Sequence, residues 1–228
     1  MFPKGAPVPS LAEALAPLAA LYPKLQYPKG PLVSTAIDHV EFAELTEKFP
    51  GVSHDGCVSI VLYTMEDHPT ENSPYFAMNK ALRDRNRAAV GPWKGFIWLL
   101  LNALKKLPVV DSATVVRGCK KSPEEMGLTL KEGRKITWSG FSSTATRIDV
   151  MDSFMGAEGA RTMFQIALRE ASARSIAAFS LFPQEAEVLL PPNVRFEIVS
   201  WSDKVAKDLT MVQLQQAEST DPDRKSVV

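Results

Sequence analysis

The first half of the chain carries runs of apolar and helix-forming residues divided by polar or Pro-containing segments, and Phe76, Asn79, Lys80 and Arg83 recur at the three- and four-residue spacings of a helix face. This pattern predicts helices over 34–49, 56–66, 74–86 and 93–107. Pro50-Gly51 follows the first of these, and Pro74 and Pro92 stand where the third and fourth begin. Proline is tolerated in the first turn of a helix but not in its interior, so these residues mark helix boundaries.

After Pro108 the pattern changes to short apolar or alternating runs, divided by segments rich in Gly, Ser, Asp and Lys. Such runs are typical of β-strands, in which successive side chains alternate between two faces. They predict strands over 115–116, 136–144, 163–168, 176–182, 188–190, 194–199 and 209–214. Helices first and strands afterwards predict an α+β fold with a largely antiparallel sheet system.

The two ends of the chain differ from this middle part. Prolines are frequent near the start, and Ser10 with Glu13 forms a capping-box sequence, so we predict a Pro-rich accessory arm with one short helix over 1–33. One main domain is expected over 34–216 and a polar tail over 217–228. A charged residue and a proline interrupt the apolar stretch near the start, which argues against a secretory leader.

Composition narrows the class of protein. Lys plus Arg and Asp plus Glu both number 26, so the net charge is zero and binding to nucleic acid or an anionic membrane is not expected. No apolar stretch has the length to cross a bilayer, and two cysteines, Cys57 and Cys119, are too few for a disulfide framework. His39, His54 and His68 share no metal-ligand spacing with these cysteines, so no metal site is expected. We expect a cytoplasmic monomer, with leaderless secretion as a toxin as the alternative.

Two acids, Glu185 and Glu187, stand two residues apart where an apolar run begins. In an extended segment alternate side chains share a face, so both carboxylates are expected to point into one cleft, with Gln184 facing away. Adjacent carboxylates repel each other, so a cation, a metal or a sugar with hydroxyl donors is expected to keep them together. A solvated strand end is the simpler alternative.

Two more motifs stand upstream in the strand-rich part. Arg117-Gly118 ends an apolar strand: a guanidinium suits a phosphate or carboxylate, and glycine lets a flat ligand approach the backbone. Ser143-Thr144 ends another strand, where Ser143 could brace a catalytic carboxylate and Thr144 could bond its own strand or fix the neighbouring one. A structural ion pair at Arg117 and ordinary half-buried hydroxyls at 143–144 are the alternatives.

An arginine ending one strand, a Ser-Thr pair on another and Glu-x-Glu entering a third stand in this order along the chain. In this the chain resembles the arginine-specific mono-ADP-ribosyltransferases, which include vertebrate ecto-enzymes and several bacterial toxins. The resemblance spans roughly residues 57–201 and is most specific over 179–192. One departure is Ala145, where the family has the third hydroxyl of its Ser-Thr-Ser motif.

The resemblance implies a fold of N-terminal helices followed by two packed, mainly antiparallel sheets around an NAD cleft. It implies that Arg117 holds the pyrophosphate of NAD, the co-substrate, and that the Gly118 backbone clamps the nicotinamide carboxamide. Ser143 is then expected to position Glu187, which hydrogen-bonds the 2′-hydroxyl of the nicotinamide ribose. Glu185 is expected to address the acceptor guanidinium, because in the family a Gln at this place goes with other acceptors.

Weaker correspondences add further expected NAD contacts at Tyr63, Asn79, Thr144 and Phe154. Asn79 and Arg83 lie one helical turn apart, a spacing that more often braces a fold. An aromatic residue such as Phe154 in a Met-rich loop is as readily a core plug as a stacking partner for nicotinamide. These residues complete the predicted catalytic and NAD-binding set.

The function implied by the resemblance is NAD-dependent transfer of ADP-ribose to an arginine of a partner protein, with release of nicotinamide and some NAD glycohydrolase side activity. Three alternatives stay open at this point. Water could be the main acceptor, which makes the protein an NAD glycohydrolase. The chain could be an inactive relative that only binds NAD, or the paired acids could form a glycosidase couple that needs no NAD.

Overall fold

The computed structural model describes residues 5–84, 87–110, 114–151, 155–156, 158–169, 172–206 and 208–218, with the side chains of 204–206 left aside. The chain divides into two compact units. One, which we call the helical unit, comprises Met1–Pro108 and Ala178–Pro183. The other, which we call the sheet unit, comprises Val109–Ala177 and Gln184–Val228.

The helical unit contains α-helices joined by short 3-10 turns. The helices are α1 Leu11–Leu15, α2 Pro31–Phe42, α3 Leu45–Lys48, α4 His54–Thr64, α5 Pro74–Arg83 and α6 Lys94–Lys105. The 3-10 turns are Pro23–Leu25, Thr70–Asn72 and Arg87–Trp93. None of the helices in the described ranges combines the length and apolar character that crossing a membrane requires.

Helix α4 forms the centre of this unit. Its residues from Gly56 to Thr64 are all buried, and it contacts α1, α2, α5 and α6. The Ser53 hydroxyl caps its first turn by accepting a hydrogen bond from the Gly56 N–H at 3.2 Å. A Cβ at Gly56 would come within 2.9 Å of Val52 and 3.1 Å of Ala103, so glycine allows close packing against α6.

The predicted helix over 34–49 is two helices in the structure. Helix α2 ends at Phe42, and Glu44 adopts a left-handed φ of 52° before α3 begins. A residue in this conformation cannot continue a right-handed helix, so the chain turns there. The other helices match their predicted places to within a few residues, although α5 ends at Arg83 and the residues before Lys94 form a 3-10 turn.

The arm before α2 packs closely on the rest of the helical unit. Leu11, Leu15 and Leu18 are fully buried, and α1 contacts α4 and α6. The Leu11 N–H donates a hydrogen bond to the Asp55 carboxylate at 2.7 Å, and the Trp98 indole N–H donates to the Pro7 carbonyl at 3.1 Å. The division of the chain at residues 33 and 216 stays a prediction.

The sheet unit contains the strands β1 to β8. Their bounds are β1 Thr114–Cys119, β2 Lys135–Trp138, β3 Ser142–Ala145, β4 Arg161–Ala167, β5 Arg174–Ser175, β6 Glu187–Leu190, β7 Val194–Ala206 and β8 Leu209–Gln216. They form one 8-stranded sheet in the order β2-β7-β8-β4-β1-β3-β6-β5. Among these neighbours β4 and β8 run parallel and the other pairs run antiparallel. The predicted α+β class with a mainly antiparallel sheet is therefore confirmed.

The family resemblance implied two packed sheets, and the structure has one continuous sheet that folds back on itself. The halves are joined at β1 and β3, whose Cα register is the pair Val116 and Ala145. Side chains from distant strands nevertheless share one core, in which Leu190 of β6 and Phe196 of β7 take part. The two halves of this one sheet therefore pack over a common core as two separate sheets would.

Two of the predicted runs do not form a single strand in the structure. The run 136–144 is divided between β2, which pairs with β7, and β3, which pairs with β6. The run 176–182 forms turns rather than a strand, and its apolar residue Phe179 is buried in the helical unit with its ring centroid 4.7 Å from that of Phe49. Short apolar runs do not distinguish a strand from a buried turn, because both exclude water from their side chains.

Candidate active site

Glu187 is the first residue of β6 and a buried carboxylate, with a relative exposure of 7%. Burial raises its pKa to about 7, because a carboxylate loses its hydration in the protein interior. The nearby charge of Glu185 raises this pKa as well, whereas a hydrogen bond from Ser143 and the charge of Arg117 lower it. The four side chains therefore act on one another within the sheet unit.

Strand β3 brings Ser143 to this carboxylate. In the register of β3 with β6, Ser143 lies opposite Leu189 and Ala145 lies opposite Glu187. Ser143 and Glu187 are therefore diagonal neighbours on one face of the sheet, a geometry that allows contact between side chains. The serine hydroxyl donates to the carboxylate, which stabilises its ionised form.

Arg117 stands at the place where β1 and β3 separate. Continued antiparallel pairing beyond Val116 and Ala145 would place Gly118 opposite Ser143, but the register stops before that pair. The Arg117 guanidinium instead donates a hydrogen bond from Nη1 to the Ser143 carbonyl at 2.6 Å. At this junction the Ser143 carbonyl, which would otherwise accept a hydrogen bond from a backbone N–H of the neighbouring strand, accepts one from the Arg117 side chain. The hydrogen bond fixes the arginine side chain to β3.

Gly118 and Thr144 lie beside these residues with different surroundings. Gly118 continues β1 and is half-buried opposite Met163 of β4. The buried Thr144 hydroxyl donates to the Val188 carbonyl at 2.7 Å and so links β3 to β6. Of the two predicted uses of this hydroxyl, fixing the neighbouring strand is the one observed. An additional NAD contact by Thr144 stays a prediction.

The backbone around Glu185 is not extended, so the alternation argument for the two acids is wrong. Pro183–Glu185 forms a 3-10 turn, and Ala186 has a left-handed φ of 47°. Glu185 is half-buried, and its charge still raises the pKa of Glu187. The two carboxylates are brought together by a turn and one left-handed residue. Gln184 belongs to the same turn and is exposed, so its predicted orientation has no basis in an extended chain.

Tyr63, Asn79 and Arg83 belong to the helical unit. Tyr63 and Asn79 are both buried, and the Asn79 amide donates to the Tyr63 hydroxyl at 3.5 Å. The Tyr63 and Tyr75 rings have centroids 6.3 Å apart. Arg83 is exposed at the end of α5. Phe154, the remaining predicted contact, lies outside the described residues.

Trp138 is a neighbour of the site that the sequence analysis missed. Its ring centroid lies 5.8 Å from the Arg117 guanidinium carbon, although β2 and β1 are not adjacent in the sheet. In the sequence, Trp138 is visible only as an aromatic residue in an apolar run. Such a pattern predicts a strand but does not reveal which distant strand the side chain contacts. Within the described ranges, no three His, Cys, Asp or Glu side chains come together as a metal site would require.

Comparison with known proteins identifies the family. The profile described as NAD:arginine ADP-ribosyltransferase matches residues 39–221. The chain belongs to this family. The predicted resemblance is therefore confirmed over a range that includes the described helices from α3 onward and all the described strands of the sheet unit.

A relative among curated proteins is Mav of Mycobacterium avium (strain 104), whose name proposes NAD(+)–arginine ADP-ribosyltransferase activity. The two sequences are 36% identical over 101 residues, which is 44% of this chain. The matched segment spans 12% of the length of Mav, so the relative is a much longer protein.

Solved structures with the same fold come from bacteria and eukaryotes. The ADP-ribosyltransferase Vis of Vibrio splendidus, solved with agmatine, has a TM-score of 0.62 and 20% identity, covering 86% of this chain and 88% of Vis. HopU1 of Pseudomonas syringae pv. tomato has a TM-score of 0.62 and 23% identity, covering 79% of this chain and 87% of HopU1. A variant of the eukaryotic mono-ADP-ribosyltransferase ART2.2, solved with NAD, has a TM-score of 0.64 and 17% identity, covering 92% and 85%. At these identities the similarity establishes the fold.

Proposed function

We propose that this protein transfers ADP-ribose from NAD to the guanidinium of an arginine on a partner protein and releases nicotinamide. Membership of the NAD:arginine ADP-ribosyltransferase family supports the reaction class. The observation that carries the proposal is the buried Glu187, which receives a hydrogen bond from Ser143 and lies near the charge of Arg117. Mav, Vis and ART2.2 add support, because their names or bound molecules concern the same chemistry.

Glu187 is assigned to the step in which the bond between ribose and nicotinamide breaks. The bonding electron pair leaves with nicotinamide, which departs neutral, and positive charge develops on the ribose. An ionised Glu187 interacts more strongly with this charge than with the ground state, so it lowers the barrier. Burial strengthens that attraction, and the pKa of about 7 leaves the ionised form accessible near neutral pH.

Arg117 and Gly118 are assigned to binding NAD. The Arg117 guanidinium has five N–H donors in a planar fork, and the Ser143 carbonyl takes one of them. The others suit the pyrophosphate, which offers several anionic oxygens. The half-buried Gly118 follows directly, and its backbone is assigned to the nicotinamide carboxamide. Tyr63, Asn79, Thr144 and Phe154 are proposed as further NAD contacts on the strength of the family motifs alone.

Glu185 is assigned to the acceptor. An arginine side chain is protonated at physiological pH and is a poor nucleophile until it is oriented. A half-buried carboxylate on a turn can pair with the guanidinium, direct one nitrogen toward the ribose carbon and accept its proton late in the reaction. When water occupies this place instead, the same site hydrolyses NAD, and we propose glycohydrolase activity as a side reaction.

The test is incubation with NAD labelled in the adenosine part, with agmatine as a free guanidine acceptor. Labelled agmatine and released nicotinamide are quantified together for the unchanged protein, Glu185→Gln and Glu187→Gln. We expect transfer to agmatine in the unchanged protein, loss of transfer with residual hydrolysis in Glu185→Gln, and loss of both in Glu187→Gln.

Two outcomes would contradict the proposal. Nicotinamide release without labelled agmatine or labelled protein in an extract would make the protein a glycohydrolase. No turnover, with or without heat of NAD binding in calorimetry, would make it an inactive relative. Asp67→Asn, a change to a carboxylate of the helical unit, is the matched control and is expected to keep full activity.

A further inference from the structure

We propose that Trp138 is a positioning residue that holds the Arg117 guanidinium in the orientation needed for NAD. The proposal rests on the proposed function, because it assumes that Arg117 binds the pyrophosphate. It adds a residue that lies outside the Arg, Ser-Thr and Glu-x-Glu motifs. In this proposal Trp138 acts by holding Arg117 and does not itself contact the substrate.

The geometry restrains the guanidinium in two directions. The Arg117 Cζ atom lies 5.8 Å from the centroid of the Trp138 ring, within the range of a cation–π interaction. The Arg117 Nη1 atom donates to the Ser143 carbonyl at 2.6 Å. The hydrogen bond fixes one N–H direction, and the indole limits rotation of the cationic group about it.

Trp138 is itself held firmly. Its ring meets Phe164 edge-on, with centroids 5.4 Å apart and an interplanar angle of 79°. The Phe196 ring also contacts it, with centroids 4.7 Å apart and the two planes tilted by 60°. Its backbone pairs with Val194 of β7. A residue packed against two buried aromatic rings has little freedom, so the surface that it offers to the arginine is fixed.

The position of Trp138 follows from the folding of the sheet. Arg117 pairs with Phe164 across β1 and β4, so that the arginine and this aromatic ring share one face. Strand β2 lies at the far end of the strand order, and the sheet must curve back for its Trp138 to reach that face. The contact between Trp138 and Arg117 thus connects β2 with β1, which are separated in the sheet by β7, β8 and β4. Arg117 is the residue that is assigned to NAD binding.

An arginine without such restraint loses affinity for its ligand. Its long side chain has many rotamers, and ordering them on binding opposes association. When the protein orders the side chain beforehand, this loss has already occurred during folding. Removing the indole should therefore weaken NAD binding while leaving the rate of the bound complex nearly unchanged, since Glu187 and Ser143 stay in place.

The experiment measures NAD affinity by calorimetry, together with KM and kcat for nicotinamide release. Trp138→Leu is expected to raise Kd and KM for NAD about three- to tenfold with kcat within about twofold, from the usual strength of such contacts. Trp138→Phe keeps an aromatic face and should restore most of the affinity. Trp138→Met keeps apolar bulk without that face and should behave like Trp138→Leu. The Phe and Met pair keeps the comparison valid if Trp138→Leu does not fold.

A double-mutant cycle separates positioning from a general packing effect. In an Arg117→Ala background, Trp138→Leu is expected to cause no further loss of NAD affinity, because the group that it positions is gone. An equal loss in both backgrounds, or no loss in either Trp138→Leu or Trp138→Met, overturns the proposal. If Arg117→Ala alone leaves NAD affinity unchanged, the assignment of Arg117 in the proposed function is wrong, which is a different outcome.

The chain offers a matched control in the helical unit. Lys105 lies over the Trp98 ring with Nζ 5.6 Å from the centroid, a contact of the same type. Trp98→Leu removes it together with the hydrogen bond to Pro7, without touching Arg117. NAD affinity is expected to stay unchanged in this variant. A loss comparable to that of Trp138→Leu would show that removing any such tryptophan weakens binding, and would count against the proposal.

Discussion

Two carboxylates, one in each unit, lie near a cation, and their pKa values are displaced in opposite directions. Asp67 in the helical unit accepts hydrogen bonds from Lys24 Nζ at 2.7 Å and 2.8 Å, and Lys24 lowers its pKa. Glu187 in the sheet unit lies near Arg117, yet burial raises its pKa to about 7. The same pair of charge types gives opposite results.

The difference lies in the contact that each cation makes. The Asp67 side chain is only 12% exposed, but two direct hydrogen bonds from the half-exposed Lys24 outweigh its loss of hydration. Arg117, in contrast, donates to the Ser143 carbonyl and acts on Glu187 through its charge. Glu187 has lost that hydration, and the hydrogen bond from Ser143 and the charge of Arg117 compensate only in part. A carboxylate kept at such a site at the expense of stability is characteristic of a functional group.

The largest effect is expected from Glu187→Gln on turnover. The amide keeps the shape of the side chain but has no charge to stabilise the ribose cation, so nicotinamide release should fall about 10²- to 10³-fold. Release is measured under saturating NAD, with and without agmatine. Asp67→Asn should lose no activity under the same conditions. A Glu187→Gln protein that retained turnover would remove the distinction between the two acids.

The second effect concerns stability and has a defined dependence on pH. The pKa of Glu187 is raised from 4.5 to about 7 in the folded state, so its stabilising protonated form is fully present below pH 4.5 and is lost as the pH rises through 7. Glu187→Gln avoids this loss. At pH 8 we expect it to be more stable than the unchanged protein by on the order of 3 kcal/mol, with no difference below pH 4.5.

Denaturant unfolding at several pH values measures this difference in the free energy of unfolding. For Asp67→Asn we expect a difference of the opposite sign. The pKa of Asp67 is lowered, so its contribution is present above the ordinary value of 3.8 and is lost as the pH falls through the folded pKa. We expect Asp67→Asn to destabilise the protein by about 0.5 kcal/mol at neutral pH. If the stabilities of the two variants depended on pH in the same way, the two carboxylates would not have pKa values displaced in opposite directions.

A smaller effect is expected from Ser143→Ala. The hydrogen bond from Ser143 lowers the pKa of Glu187, so removing it should raise that pKa further above 7. For the unchanged protein, kcat/KM for NAD should rise with pH around 7 as Glu187 ionises. In Ser143→Ala this rise should move to higher pH by about one pH unit, the size expected for a bond to a charged group. An unmoved profile would show that Ser143 does not act on Glu187.

The smallest effect tests the turn that brings Glu185 to Glu187. Ala186 has a φ of 47°, a conformation that glycine adopts freely and a β-branched residue resists. Ala186→Gly should keep stability within about 1 kcal/mol, whereas Ala186→Val should lose about 1–2 kcal/mol and transfer less ADP-ribose to agmatine. Asp208, with a φ of 59° in the turn between β7 and β8, is the control site. Asp208→Val should reduce stability similarly with no change in transfer.

Local sequence was sufficient where a property depends on neighbours along the chain. Long apolar runs bounded by turn residues and proline predicted α4 and α6, and short apolar or alternating runs predicted β4 and β8, because these patterns follow from backbone geometry. The order of Arg117, Ser143 and Glu187 along the chain was enough to indicate the family that the profile match confirmed. The roles of these three residues stay proposals.

Local sequence failed where a conformation depends on surroundings that are distant along the chain. The two acids were expected on an extended strand, and they lie on a turn with the left-handed Ala186 between them. The apolar run that contains Phe179 was expected to be a strand, and it is a buried turn. Burial stabilises apolar residues in a strand and in a buried turn alike, so tertiary packing overrides the local preference for a strand.

By itself, the sequence determined the class of fold, the order of its elements and the residue types available for chemistry, since these follow from periodicity and composition. Only the tertiary structure decided that Glu187 loses its water and takes a pKa of about 7, and that Trp138 faces Arg117. The physical reason is that solvation and cation–π contact depend on distances in space. Those distances were set when one continuous sheet folded back on itself and brought β2 to the face that carries Arg117.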